Sequence, residues 1–275
     1  MQTRESAIFW HEPALSNLEL LRASYVTHTF APHTHEGFAI GVIESDAETF
    51  SYRRAHHVAA AGSIVVIGPN EMHTGQALTP HGWSYRMLYP ALDLLQRAAS
   101  EAAGTPHNVP FFSAAVFQDA ALAGLIWRLH LALENPATSI LERESRLLWT
   151  FTHLVTRHAD QSPVVRAAKP DHEYVQRIRQ HLETHFAQNL SLDDLANLVH
   201  VSPFHLLRVF RAAVGLPPHA YLNQVRVRQA KTLLAANVPL ADVALQTGFA
   251  DQSHLSKQFK RIVGVAPGVY RRATT

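Results

Sequence analysis

Apolar positions in the last third of the chain recur every three to four residues, and the pattern is written twice. Leu192, Leu195, Ala196 and Val199 mark a short helix, and Leu206, Leu207, Val209, Phe210 and Val214 a second one, the period of an amphipathic helix. The same phases return in Leu240, Val243, Ala244 and Thr247, then in Leu255, Phe259 and Ile262. Leu192, Asp194, Leu195 and Ala196 match Leu240, Asp242, Val243 and Ala244 at an offset of 48. Ser202, His205, Leu206, Phe210, Gly215, Pro218 and Tyr221 match Asp251, His254, Leu255, Phe259, Gly264, Pro267 and Tyr270 at 49. One residue has been added in a turn, and the repeat reads as two copies of one helix-turn-helix-sized unit.

The punctuation agrees. Ser191, Ser202 and Asp251 stand where helix N-caps are needed, and Pro203 sits at a first helical position where its missing N–H is harmless. Gly215 and Gly264 stop the second helix of each copy, and Gly248 supplies the second turn. Between the copies, 220–235 predicts one long helix carrying Leu222, Val225, Val227, Ala230, Leu233 and Leu234, a rigid spacer.

The first half is patterned differently. Short β-rich runs at 23–30, 37–43, 49–53, 63–67 and 83–88 lie between turn residues and predict a β-barrel. Two helical stripes follow, one of Leu122, Leu125, Ile126, Leu129 and Leu133, the other of Leu147, Leu148, Phe151, Leu154 and Val155. Such stripes pack internally or offer a surface to a second copy, and a homodimer through them is expected. Ser162, Pro163, Ala167 and Ala168 make 161–170 read as a linker. The expected organisation is a two-domain protein: an N-terminal β-barrel followed by helices over 1–160, the linker, and an all-α domain with two helix-turn-helix units over 171–275.

Composition adds bounds. At 275 residues with 47% hydrophobic content the chain has material for two cores. It contains no cysteine, so disulfides and thiolate metal sites are excluded. The stretch 1–13, with Arg4, Glu5 and His11, lacks the apolar run of a signal peptide. No segment approaches the roughly 18 to 20 apolar residues of a membrane span, so a soluble, cytoplasmic protein without a membrane partner is expected. Charge is unevenly placed: 171–275 holds 12 Lys/Arg and 7 Asp/Glu, net +5, whereas 1–170 holds 12 and 15, net −3. The excess includes Arg208, Arg211, Arg226, Arg228, Lys257, Lys260, Arg261, Arg271 and Arg272, side chains of the kind that neutralise phosphates.

From Leu192 to Arg271 the chain resembles the DNA-binding domain of the AraC/XylS family of bacterial transcription regulators. The resemblance is strongest in 241–261, ADVALQTGFADQSHLSKQFKR, and is completed by Gly264, Pro267, Tyr270 and Arg271. It implies two recognition helices in successive major-groove segments of double-stranded DNA, with base contacts at Phe204, Leu207, Arg208, Gln252, Ser253, Ser256 and Lys257. Helix geometry gives a similar set: with Leu206, Phe210, Leu255 and Phe259 turned inward, Phe204, His205, Leu207, Arg208 and Arg211 remain in the first copy. Gln252, Ser253, Ser256, Lys257 and Lys260 remain in the second. Arg208 and Lys257 suit guanine, Gln252 suits adenine, and Phe204 or Leu207 suits thymine methyls. Leu207 departs from the family, in which that position is commonly polar, so the first helix is expected to read shape and methyl groups more than hydrogen bonds.

In the first half, Pro32-His33-Thr34-His35 and the run from Gly62 through Pro69 to His73 resemble the two motifs of the cupin fold, the usual effector domain of this family. Strand alternation puts His33 and His35 on one side, and a returning strand could bring His73 to them. The cupin pattern expects a Glu about four residues past the second His, where Ala39 and Ile40 stand, and Glu36 would point away. Two readings stay open: a polar lining with no required cofactor, or a divalent-metal site on His33, His35 and His73. Phe38, Trp83, Tyr85 and Arg86 complete the expected effector wall, with Arg86 suited to a carboxylate.

Two functions follow. The first is a transcription regulator that answers a small-molecule effector, binds double-stranded DNA and, if it activates, contacts RNA polymerase. The alternative is a cupin metalloenzyme with a nucleic-acid-binding appendage. No Ser/His/Asp spacing or phosphate-binding Gly loop speaks for catalysis, and no catalytic residue is assigned.

Overall fold

A computed structural model describes residues 5–165 and 172–274; the predicted linker lies outside the described residues from 166 onward. The β-rich half carries β1 (Ser6–Glu12), β2 (Leu18–Tyr25), β3 (Thr29–His33), β4 (Ala39–Tyr52), β5 (Ala55–Ala60), β6 (Ile64–Ile67), β7 (His73–Ala77), β8 (Trp83–Tyr89) and a short β9 (Val116–Phe117). All pairings are antiparallel. One path runs β1-β2-β8-β4-β6-β9, and β5, β7 and β3 join through the far half of β4.

Strand β4 turns this sheet into a barrel. Its first half pairs β6 and β8, its second half β5 and β7. The register to β8 shifts between Ile43 and Ser45, and Asp46 takes a left-handed φ of 58°, the bend by which a bulged strand passes between layers. The runs predicted at 37–43 and 49–53 are therefore two halves of one strand, because the polar interval Glu44-Ser45-Asp46 is a bulge and not a turn. The single run predicted at 23–30 is in fact β2 and β3. Backbone N–H groups of Val26, Thr27 and His28 break the ladder by donating to the Glu5 carboxylate at 2.8, 2.6 and 3.1 Å. Those bonds, Thr27's first, hold that carboxyl down to about 2.

Three helices follow or interrupt the strands: α1 (Leu92–Ala103), α2 (Ala120–Glu134) and α3 (Ile140–His158). The predicted stripes belong to α2 and α3, and most of their residues are covered within the chain, while Leu125 and Leu148 stay half-buried. Leu122, Ile126, Leu129, Leu133, Phe151, Leu154 and Val155 are each at most 3% exposed, and burying such a side chain contributes about 1.5–3 kcal/mol to folding. Those apolar atoms are already spent inside this chain.

The remaining helices are α4 (His172–Thr184), α5 (Leu192–Leu198), α6 (Pro203–Val214), α7 (Pro218–Ala235), α8 (Leu240–Gln246), α9 (Gln252–Val263) and α10 (Pro267–Thr274). Ser191 closes a capping box with Asp194, Ser202 accepts from the His205 N–H, and Asp251 accepts from the His254 N–H. Gly215 and Gly264 adopt the left-handed C-cap. The repeat extends to single hydrogen bonds. Val201 N–H donates to Ala196 O at 3.1 Å and Phe249 N–H to Ala244 O at 3.0 Å, while His200 and Gly248 take φ of 56° and 76°. The offset is thus still 48 at Phe249, which identifies Ala250 as the added residue. By contacts the chain falls into two units, Met1–Glu134 with Arg146–Arg166 and Asn135–Ser145 with Ala167–Thr275.

Candidate nucleic-acid interface and effector cavity

Helix α9 owes its outward face to its apolar stripe. Leu255 and Phe259 are fully buried with Val227, Ala230, Leu234, Val243, Ala244 and Phe249. That rotation leaves Gln252, Ser253, Lys257 and Lys260 exposed and Ser256 half-buried. Donors and acceptors suited to base edges and phosphates therefore stand together on one side of a helix that Asp251 caps.

Helix α6 has the same caps and a different face. Arg211 is exposed and His205 and Arg208 half-buried, but Phe204 and Leu207, expected to reach thymine methyls, are only 4% and 2% exposed. The Arg208 guanidinium lies 5.8 Å from the Phe204 ring centre, and Tyr174 of α4 packs 6.1 Å from His205. Burial pulls the Arg208 pKa below its ordinary value. A readable signal was present. At the offset of 49, Ser253 and Ser256 replace Phe204 and Leu207, so α6 is apolar around most of its circumference, the pattern of a buried helix.

One arginine of the basic excess has a structural role. Arg226 is 3% exposed and donates from Nε to Phe186 O at 2.7 Å and from Nη2 to Gln188 O at 3.0 Å. Burial lowers its pKa to about 10. It ties α7 to the chain ahead of α5 and is not a phosphate contact. Arg228, two residues on, is exposed, 3.8 Å from Glu183.

The barrel encloses a cavity of about 70 Å³. His33 and His73 are paired across β3 and β7, and ligand atoms of His33, His35 and His73 all lie within 4.8 Å of one another. Since a carbonyl can only accept, His33 Nδ1–H donates to Ala31 O at 2.8 Å and His73 Nδ1–H to Glu71 O at 3.2 Å. Burial, with the neighbouring imidazoles, holds His35 down to about 4 and His73 below its ordinary value. Tyr85, Tyr89, Thr74 and Glu48 complete the polar lining, and Phe30, Phe50, Val65, Ile67 and Met87 the apolar one.

Three of the expected effector residues lie elsewhere. Trp83 and Phe38 are 1% and 2% exposed in packed clusters, Trp83 beside Tyr25 and Tyr85 and Phe38 beside Phe112. Arg86 is committed to a buried network: Nε donates to Glu44 at 2.7 Å, and Nη1 donates to Glu134 at 2.7 Å and to His130 Nδ1 at 3.1 Å. It locks α2 to β8 and β4 and is not available to an effector carboxylate.

Residues 15–151 match the family described as AraC-like ligand binding domain, and residues 195–273 match a helix-turn-helix domain family. YbfI of Bacillus subtilis strain 168, an uncharacterized HTH-type transcriptional regulator, is 30% identical over 239 residues, 87% of this chain and 86% of its own. The chain belongs to the AraC family of transcriptional regulators. It is similar also to the HTH-type transcriptional activator AarP of Providencia stuartii, 37% identical over 34% of this chain and 70% of AarP. The solved structure of ToxT from Vibrio cholerae aligns over 98% of both chains with 13% identity and a TM-score of 0.39. As an AraC-family protein it is a DNA-binding regulator whose N-terminal domain is of the ligand-binding type. Among the described residues no helix is long and apolar enough to cross a membrane.

Sequence reasoning missed the acid of this AraC-type barrel. It looked for a carboxylate near Ala39 and Ile40, whereas Glu48 reaches the cavity from the second half of β4. Glu48 is 8% exposed, and burial raises its pKa to about 8. Gly75 makes room for it, since a Cβ there would stand 2.5 Å from Glu48 Oε1. The signal was weak: a Glu in the polar interval between two predicted runs, near a Gly on a strand, β7, that was not among those runs.

Proposed function

We propose that this regulator reads DNA mainly through α9 and answers a small molecule enclosed by the barrel. Gln252, Ser253 and Lys257 would meet base edges, with Ser256 at the margin, and Lys260 and Arg211 would meet phosphates. Arg208 and His205 would contribute from a partly covered α6. The observation that carries this reading is the exposure of α9's polar face beside the burial of its apolar one. His33, His35, His73 and Tyr85 belong to the effector cavity, and a binding role without catalysis is in keeping with relatives named as regulators and activators.

A homodimer through α2 and α3 would use their outward faces together with the half-buried Leu125 and Leu148, because most stripe residues lie inside the chain. Activation would add a contact to RNA polymerase, in the cytoplasm. Selection of bound duplexes from a random pool, with and without candidate metabolites, tests the proposal. A single enriched motif that Lys257→Ala weakens is expected. Binding indifferent to sequence in both proteins would overturn base readout by α9.

A further inference from the structure

We infer that the barrel cavity holds a divalent first-row transition-metal ion, ligated by ring nitrogens of His33, His35 and His73 with the Glu48 carboxylate facing it. The inference rests on the reading of the barrel as the ligand-binding part of the protein. Three independent features of the cavity converge on a cation.

The first is the tautomer. With Nδ1–H of His33 and His73 each given to a backbone carbonyl two residues earlier, Nε2 of both rings carries the lone pair. This is the arrangement by which backbone carbonyls fix metal-ligating imidazoles. His35, in the loop two residues past the end of β3, completes a set whose ligand atoms lie within 4.8 Å of one another. Imidazole sets of this kind suit zinc, nickel, copper or iron, and not magnesium or calcium.

The second feature is Glu48. Its carboxyl is 8% exposed, lines the cavity, and has no hydrogen bond or ion pair among the described residues. Buried acids are ordinarily paired, as Glu44 is with Arg86 in the same barrel. No arginine or lysine lines the cavity to pair with it. A bound cation supplies the missing charge, and Gly75 keeps open the space through which the carboxylate projects. The third is size. A cavity of about 70 Å³ takes an ion with a few waters, since one water needs roughly 10–15 Å³ on this measure.

The test uses the full chain, stripped with chelator and titrated with Co2+, Ni2+ and Zn2+ separately. Elemental analysis after desalting is expected to find about one metal per chain. Co2+ should give visible absorption bands of an imidazole-ligated ion. Metal at a hundredfold excess over Kd should raise the melting temperature by roughly 5–10 °C. His73→Ala should abolish stoichiometric uptake, and Glu48→Gln should weaken affinity by roughly 10–100-fold. If His73→Ala fails to fold, His33→Asn, at a half-buried site, makes the same test. No stoichiometric uptake by wild type, or equal uptake by the histidine variants, overturns the inference. DNA selection with chelator-stripped protein separates the two readings: sequence-specific binding without metal uptake leaves the regulator in place and removes the metal.

Discussion

Helices α6 and α9 share caps, length and turn hydrogen bonds, yet they present different faces. In α9 Ser253 is exposed and Ser256 half-buried; in α6 Phe204 and Leu207 occupy the same phases and are buried. Duplicated local structure thus does not carry duplicated exposure with it. Caps and helix phase depend on residues a few positions apart, whereas exposure depends on everything else that packs on the helix.

The largest expected difference between the copies lies in their turns. Gly248 has a φ of 76°, and a Cβ would stand 2.7 Å from Ala187 O, so Gly248→Ala combines backbone strain with a collision against main chain. A cost of about 3–4 kcal/mol is expected. His200 already holds a side chain at φ 56°, and His200→Ala should cost under about 1 kcal/mol. Urea unfolding followed by helical circular dichroism compares them; equal costs would mean that the two turns are equivalent after all.

Next comes the arginine pair on α7. Arg226→Ala removes two hydrogen bonds from a buried guanidinium to Phe186 and Gln188 and should cost about 3 kcal/mol. Arg228→Ala, at an exposed site, should cost under about 0.5 kcal/mol. An Arg226→Ala protein of unchanged stability but weakened DNA affinity would return Arg226 to the phosphate contacts.

Much of this organisation was legible in the chain. The doubled pattern located α5 to α9, the caps and the turn that gained a residue, because each rests on local spacing. The barrel's histidine motif was legible because His33 and His35 are near neighbours in sequence, although β3 ends at His33 and His35 stands in the loop that follows, not on the same strand. What was not legible depended on distant partners. The length of β4 hid behind a polar bulge, and Glu48 is meaningful only once β7 lies beside it. Arg86 looked like an anion receptor until Glu44 and Glu134, far away in sequence, were seen to surround it. Phe204 and Leu207 offered a warning in their apolarity, but helix phase alone placed them outward.

On DNA the comparison predicts unequal readout. Lys257→Ala, at an exposed position on α9, should weaken operator binding by roughly 1–3 kcal/mol and relax sequence preference. Arg208→Ala, at the matching and half-buried position on α6, should lose less and change stability as well. Fluorescence anisotropy across a salt series, on the selected duplex and a scrambled one, separates base from phosphate contacts. Equal, sequence-specific losses would overturn the unequal readout. The caps predict a smaller contrast. Asp251→Ala, removing a 2.6 Å bond to His254 N–H, should cost about 1–2 kcal/mol, and Ser202→Ala, removing one of 3.4 Å, nearer 0.5 kcal/mol.

The smallest effect is electrostatic and concerns His254, the counterpart of His205. His254 is 8% exposed, and burial is the main cause holding its pKa below the ordinary 6.5. The unfolded chain therefore binds a proton more readily than the folded one between these values. The stability that neutral His254 contributes is fully present above pH 6.5 and is lost as pH falls toward the lowered folded value. His254→Gln cannot take up that proton, so its loss of stability between pH 7.5 and 5.5 should be shallower than that of wild type. Parallel slopes in wild type and His254→Gln would show that the covering of α9's inner face does not hold this histidine neutral.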